Sequence, residues 1–224
     1  VERYEGGEGV AVCELGGGKA VSAKLVVAAD GRNSVARQSA GISLKSWSYP
    51  QTAMVLTFAH TRGHSNISTE FHTETGPFTF VPLPGSRSSL VWVVAPGDVD
   101  AVGSLTDEEL SLRVEEKMQS MLGKVMVDSV RQFYPLSAQT PSRFARRRIM
   151  LAGEAAHVFP PIGAQGLNLG LRDVEECVAT ASSFRDDPGS DEALTKYDSA
   201  LRRDILLRTG AVDLLNRSLL TGFL

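Results

Sequence analysis

Cysteine is scarce in this chain. Its 224 residues hold two, Cys13 and Cys177, with no Cys-x-x-Cys pair and no metal-ligand spacing. That excludes a disulfide scaffold and points to two reduced, buried thiols in a cytosolic protein. The histidines are also few, and His60, His64 and His72 lack zinc spacing. There is no basic excess: Lys plus Arg is 23 against 26 for Asp plus Glu, a net charge of −3. Nucleic acid is therefore not expected as the main partner. No apolar run reaches the roughly 18 residues of a spanning helix. No secretory leader opens the chain, and Val1-Glu2-Arg3-Tyr4 lacks an initiator Met. The expectation is a piece of something longer. No internal repeat or low-complexity tract is visible. What remains is ordinary globular composition, 42% hydrophobic and 22% charged. A chain this long buries roughly 70% of its unfolded surface, enough for a core.

The first thirty residues read as strands. Val10–Leu15 is one, Gly16-Gly17-Gly18-Lys19 turns the chain, and Val21 continues into the apolar run Leu25–Ala29. Such a run suits a strand buried on both faces of a parallel sheet. Gly16–Lys19 is read as a hairpin turn, because the spacing of a phosphate loop is wrong and Ala20 stands where Ser or Thr is needed. Segments 53–59, 67–72, 77–81 and 89–95 alternate as an antiparallel sheet punctuated by Gly and Pro. Thr106-Asp107-Glu108-Glu109 is a capping box that opens a helix to about Leu122, with Leu110, Val114, Met118 and Met121 on its apolar face. A strand is expected over 125–135. Arg143, Arg146, Arg147 and Arg148 then precede a second buried-strand run, Ile149–Ala152. This arginine cluster is read as a solvated edge before a site. Helices are expected over 166–184 and from Asp191 onward, broken by Asp186-Asp187-Pro188-Gly189-Ser190. The strongly apolar tail ends at Leu224. It is expected to pack against residues beyond this chain, with contact to a membrane surface as the alternative.

Two segments carry chemistry. In Ala28–Arg37 a buried strand ends in Asp30-Gly31 and turns into a segment that Ser34 can cap. In Gly153–Asp173 another strand runs into Gly153-Glu154-Ala155-Ala156-His157, then Pro160-Pro161, then Gly163 and Gly166 at the start of a helix. Small residues admit close backbone approach, and the prolines fix an extended loop. The free N–H groups and dipole of the helix start favour negative charge. A rigid loop, an anion-friendly helix end and the Glu154 carboxylate together describe a cofactor site. His157 stands in this loop as a candidate site group, although a histidine among small residues is more often a hydrogen-bonded structural one.

These two segments resemble the Asp-Gly and Gly-Asp motifs of the flavoprotein aromatic hydroxylases. The run from Gly153 to Asp173 is most similar to the ubiquinone-biosynthesis hydroxylases. The resemblance implies α+β or α/β architecture: part of an FAD-binding domain of glutathione-reductase type, with an antiparallel β-sheet substrate domain. The implied division is 1–44 and 141–184 in the FAD-binding domain, 45–140 in the substrate domain and 185–224 as C-terminal helices. It also implies a cofactor set of FAD and NAD(P)H. Asp30, Gly31 and Arg37 match the motif linked to pyrophosphate and NAD(P)H. Gly153 and Glu154 match the pair that meets the flavin ribityl chain, with Glu in place of the family's Asp. Pro161 matches a carbonyl placed near the substrate hydroxyl, so Pro161 and His157 are the candidate catalytic positions. Gly163, Gly166, Leu167 and Asn168 match the segment whose N–H groups meet the flavin ring. Phe71, Phe78 and Phe80 are candidate ring contacts for substrate, with plain sheet core as the alternative.

The activity implied is hydroxylation of an aromatic ring with NAD(P)H and O2. The substrate class is a small aromatic molecule, with a polyprenyl phenol of ubiquinone biosynthesis as the leading case. Other ubiquinone-biosynthesis proteins are conceivable partners. The location implied is cytoplasmic, with peripheral contact to the inner membrane as an option. A same-fold flavoprotein of other chemistry, such as a halogenase or prenyl reductase, is the rival, and a non-catalytic scaffold module is a second. The family's Gly-x-Gly-x-x-Gly turn, which holds the ADP half of FAD, has no counterpart here. About a hundred residues of such a nucleotide-binding half precede the matching region in the family. The isolated chain is therefore expected to hold FAD weakly or not at all and to be inactive alone.

Overall fold

A computed structural model describes residues 1–160 and 166–220, with side chains through residue 205. The chain begins with three antiparallel strands, β1 (Arg3–Gly6), β2 (Ala11–Leu15) and β3 (Lys19–Ala23). Leu15 pairs with Lys19 across the expected hairpin turn. Strand β4 (Val26–Ala28) leads to the short helix α1 (Val35–Ser39). The long β5 (Leu44–His60), then β6 (Thr69–Thr73), β7 (Gly76–Leu83) and β8 (Arg87–Val94), build most of a six-stranded sheet. Helices α2 (Val99–Gly103) and α3 (Asp107–Lys117) follow, then β9 (Val125–Val127) and β10 (Gln132–Pro141). The sheet order is β10-β5-β8-β7-β6, with β9 on β5. The hairpin β11 (Ala145–Arg146) and β12 (Ile149–Leu151) precedes helices α4 (Gly166–Ser183) and α5 (Asp191–Leu220). Parallel pairing of β12 with β4 joins the two apolar runs, which confirms the mixed α and β class.

The chain divides into two compact units. The first contains residues 1–47 and 137–213. Its core gathers Phe144, Ile149, Met150 and Leu151 with Ala193, Leu194, Tyr197 and Leu201 of α5. Tyr197 is fully buried, and its hydroxyl donates to the Leu151 carbonyl at 2.7 Å. The arginine cluster is resolved residue by residue. Arg148 is an internal staple: it grips Asp187 with two hydrogen bonds of 2.6 and 2.9 Å and donates to the carbonyls of Gly7 and Lys24. Arg143, Arg146 and Arg147 are exposed, as a solvated edge requires. The hairpin passes so close to its neighbours that a Cβ on Gly6 would lie 2.2 Å from the Arg147 carbonyl oxygen. A Cβ on Gly189 would lie 2.0 Å from that of Lys24.

The second unit is built around residues 48–136. Period-2 alternation sends Met54, Leu56 and Phe58 of β5, Leu90 and Trp92 of β8, and Phe78 and Phe80 of β7 to one face, where they face each other across the strands. Leu110, Val114 and Met118 of α3 cover that face. The capping box stands as expected, with Glu109 N–H donating to the Thr106 hydroxyl and Thr106 N–H to the Glu109 carboxylate.

Three expectations need correction. The α3 helix stops at Lys117, because Gln119 and Ser120 turn into the left-handed region at φ 55° and 53°. That shifts the phase, so Leu122 fills the core place expected of Met121, which is 44% exposed. The segment 125–135 is two strands, β9 and the start of β10, and not one. Finally, β4 is not buried on both faces: Val27 is 44% exposed, and among the described residues the strand is paired only with β12.

One further face bears on the site. Leu169, Asp173, Cys177 and Thr180 turn α4 inward. Leu167, Leu171, Val174 and Val178 form a second apolar stripe at helical spacing that faces away, each 49–76% exposed.

Candidate cofactor site

Parallel pairing sets the geometry of the site. Leu151 stands opposite Ala28, and Ala152 N–H donates to the Ala28 carbonyl at 2.9 Å. Both motifs therefore leave the sheet side by side, at the carboxyl ends of two parallel strands, where open α/β sheets bind ligands. More than a hundred residues of sequence separate them.

The first motif turns at Gly31, where φ is 81° and a Cβ would meet nothing within 4 Å. Asp30 is exposed, and one carboxylate oxygen accepts the Ala36 N–H at 3.1 Å, tying the strand end to α1. Ser34 caps that helix as expected, its hydroxyl accepting the Arg37 N–H at 2.9 Å. Arg37 is the exception. It is 3% exposed and donates through Nη1 to the Ala155 carbonyl and through Nη2 to the Arg32 carbonyl, each at 2.8 Å. Burial pushes its guanidinium down, partly offset by Asp30. Two of its N–H groups are held by backbone carbonyls of the two motifs, so it fastens the first motif to the second.

The second motif turns at Gly153, with φ 60°, into a single 3₁₀ turn over Gly153–Ala155. Ala156 and His157 N–H both donate to the Gly153 carbonyl. Glu154 is exposed on this turn and makes no hydrogen bond among the described residues. His157 is 4% exposed. Its Nε2 lies 2.8 Å from a carboxylate oxygen of Asp173, itself 3% exposed, and its ring stacks on Phe159 at 5.3 Å. The same Asp173 oxygen accepts the Gly153 N–H at 2.8 Å. His157 is thus turned inward, as the structural alternative required, and Asp173 pins the turn to α4. By resemblance Asp173 matches the acidic end of the second motif, but its bonding to the turn was not foreseen. The available signal was its position: 169, 173 and 177 share the inward face of α4, where a carboxylate needs a built-in partner.

The first turn of α4 presents Gly166, Leu167 and Asn168, all exposed, with no acidic residue of its own to compensate the positive end of the dipole. Pro161 and Gly163 lie outside the described residues. Phe78 and Phe80 are 0% and 1% exposed, and Phe71 packs against them on the same face. Phe78 and Phe80 are sheet core under α3, the alternative reading of these rings, and Phe71 is only partly buried beside them. The opposite face of that sheet carries Ala53, Val93 and Leu136.

These features fit a flavin nucleotide. Two glycine turns leave open space, two exposed carboxylates stand at the strand ends, and the first turn of α4 is exposed and free of acidic residues. The chain belongs to the FAD-binding domain family, whose model matches residues 5–205. It is 39% identical over 206 residues to the ubiquinone hydroxylase UbiL of Rhodospirillum rubrum, covering 91% of this chain and 48% of that protein. It is 31% identical over 204 residues to the 3-demethoxyubiquinol 3-hydroxylase of Escherichia coli, covering 90% and 52%. Among solved structures it superposes on the p-nitrophenol 4-monooxygenase PnpA of Pseudomonas putida with a TM-score of 0.74 at 21% identity, over 97% of this chain and 56% of that one. The chain spans about half the length of the curated relatives it matches.

Proposed function

We propose that this chain is the flavin-ring and substrate-sheet portion of an FAD-dependent monooxygenase. The whole protein would hydroxylate an aromatic ring, consuming NAD(P)H, a proton and O2 and yielding NAD(P)+, water and the phenol. The observation that carries this reading is the meeting of the two motifs at the carboxyl ends of β4 and β12. FAD, when bound, supplies the redox and oxygen chemistry. The residues here bind and orient it. Glu154 is free to accept hydrogen bonds from ribityl hydroxyls, one methylene further out than an Asp. Asp30 and Gly31 border the nucleotide side. The N–H groups at the start of α4 favour the negative charge that a reduced ring carries. Arg37 and Asp173 hold the two turns in register.

The names of the relatives support a polyprenyl phenol or quinol of ubiquinone biosynthesis as substrate. That chemistry suits peripheral contact with a membrane, and no described helix is long and apolar enough to cross one. The test uses the protein expressed from its natural reading frame and loaded with FAD. NAD(P)H oxidation is followed with and without a prenylated phenol, and the product is weighed. Substrate-dependent oxidation with gain of one oxygen atom is expected. Gain of a halogen, saturation of the prenyl chain, or no turnover would each sink the hydroxylase reading.

A further inference from the structure

Gln139 lies on β10, outside both motifs. Its backbone is locked to the loop of the second motif in an isolated antiparallel bridge. Gln139 N–H donates to the Val158 carbonyl at 2.9 Å, and Val158 N–H donates back at 3.0 Å. Directly opposed residues share a face, so the Gln139 and Val158 side chains point the same way. His157 and Phe159, stacked on each other, point the other way, toward Asp173. Gln139 is therefore separate from the network that pins the turn.

At the tip of this side chain, Oε1 is buried and has no hydrogen-bond partner. Tyr4 Oη, on β1, is the only other such side-chain atom among the described residues. A buried amide without a partner forfeits its hydration and gains nothing in return, so native proteins seldom retain one unless a ligand or water completes it. The bridge holds the backbone from both sides, which limits how far the amide can move to find a protein partner.

We propose that Gln139 is a substrate-contact residue, whose amide hydrogen-bonds the hydroxyl of a bound phenol. The inference rests on the hydroxylase reading above. The chemistry of the group selects the ligand. The amide is neutral, so it offers nothing extra to an anion. Its oxygen and nitrogen are distinguished only by their partners, and here the buried end has none. A phenolic hydroxyl both donates and accepts, so it satisfies either orientation.

The test compares wild type with Gln139→Leu in the FAD-loaded protein from the natural reading frame. The probes are a farnesylated phenol and its methyl ether, with binding read by quenching of flavin fluorescence in the absence of NAD(P)H. Wild type is expected to prefer the phenol. Gln139→Leu is expected to bind the phenol about tenfold more weakly, the scale of one neutral hydrogen bond. Its affinity for the ether should be unchanged, so the preference disappears. Thermal stability should be equal or higher, since an orphan polar group has been removed, and FAD affinity should be unchanged. Retained preference for the phenol overturns the assignment, as does a parallel loss for both probes. Loss of FAD affinity overturns it in favour of a flavin contact. If wild type itself holds no FAD or binds neither probe, the hydroxylase reading has failed, and Gln139 falls with it.

Discussion

Asp173 concentrates the residue-scale chemistry of the site. One carboxylate oxygen holds a part-buried backbone N–H and a buried imidazole. No lysine or arginine is bonded to it among the described residues. Removing one member of such a pair strands the other. Asp173→Ala is expected to destabilise folding by about 3 kcal/mol, and His157→Ala in the same background should add little, which urea unfolding of the double-mutant cycle would measure. A fully additive cycle would show that the two do not act as a unit. The carboxylate also acts on its neighbours. Burial, and then the Asp173 charge, push the Cys177 thiol up, so native protein should react with a thiol reagent at Cys177 only as fast as it unfolds. What could be read here from sequence was residue type and spacing: Asp30-Gly31, Gly153-Glu154 and the Ser34 cap stand where the motifs place them. What could not be read was direction. Nothing in a one-dimensional pattern says that Arg37 and His157 turn inward while Glu154 turns out, because that depends on which carbonyl or carboxylate a separate segment brings into reach.

Among the elements, α3 and its sheet are the most self-contained. Thr106→Ala removes the capping box and is expected to destabilise by about 1 kcal/mol, read as a lower urea midpoint with unchanged slope. Across the sheet, Arg87 grips Asp128 at 2.7 Å, and this hydrogen bond holds the Asp128 carboxyl below its ordinary value of 3.8. A carboxylate depressed in the folded state contributes stability that is complete above the unfolded value and lost as pH falls below it. Asp128→Asn should therefore flatten the acid limb of the stability profile below about pH 4 and leave the neutral region nearly parallel to wild type. An unchanged acid limb would mean that solvent already screens the pair. Most elements were legible because alternation and helical period differ so sharply. Three of the positions that the pattern left open or misplaced share a cause: each depended on more than its own segment. Met121 lost its place to Leu122 through two left-handed residues. Val27 is 44% exposed, and its burial depended on what packs over that face of β4, which the apolar run alone does not reveal. Phe78 and Phe80 have a period that fixes their face, but only α3 reveals that the face is covered.

At the scale of the molecule, the fold ties distant segments through a few close approaches. Gly189→Ala would drive a methyl group into the Lys24 carbonyl. It is expected to cost about 1–3 kcal/mol, and a thermal midpoint equal to wild type would disprove the contact. The 224-residue chain alone, which lacks a Gly-x-Gly-x-x-Gly turn, is expected to elute from gel filtration without flavin. Stoichiometric co-elution would show that the two motifs suffice.

The outward stripe of α4 has a practical side. Leu167, Leu171, Val174 and Val178 present adjoining apolar surface to water, while a net charge of −3 offers little mutual repulsion between molecules. Handled on its own, this chain should be a sticky colloid, with scattering that grows with protein concentration and worsens in sulfate. Leu171→Lys with Val178→Glu should restore monodispersity without touching the inward face. A soluble version made in this way would be the reagent for measuring everything else.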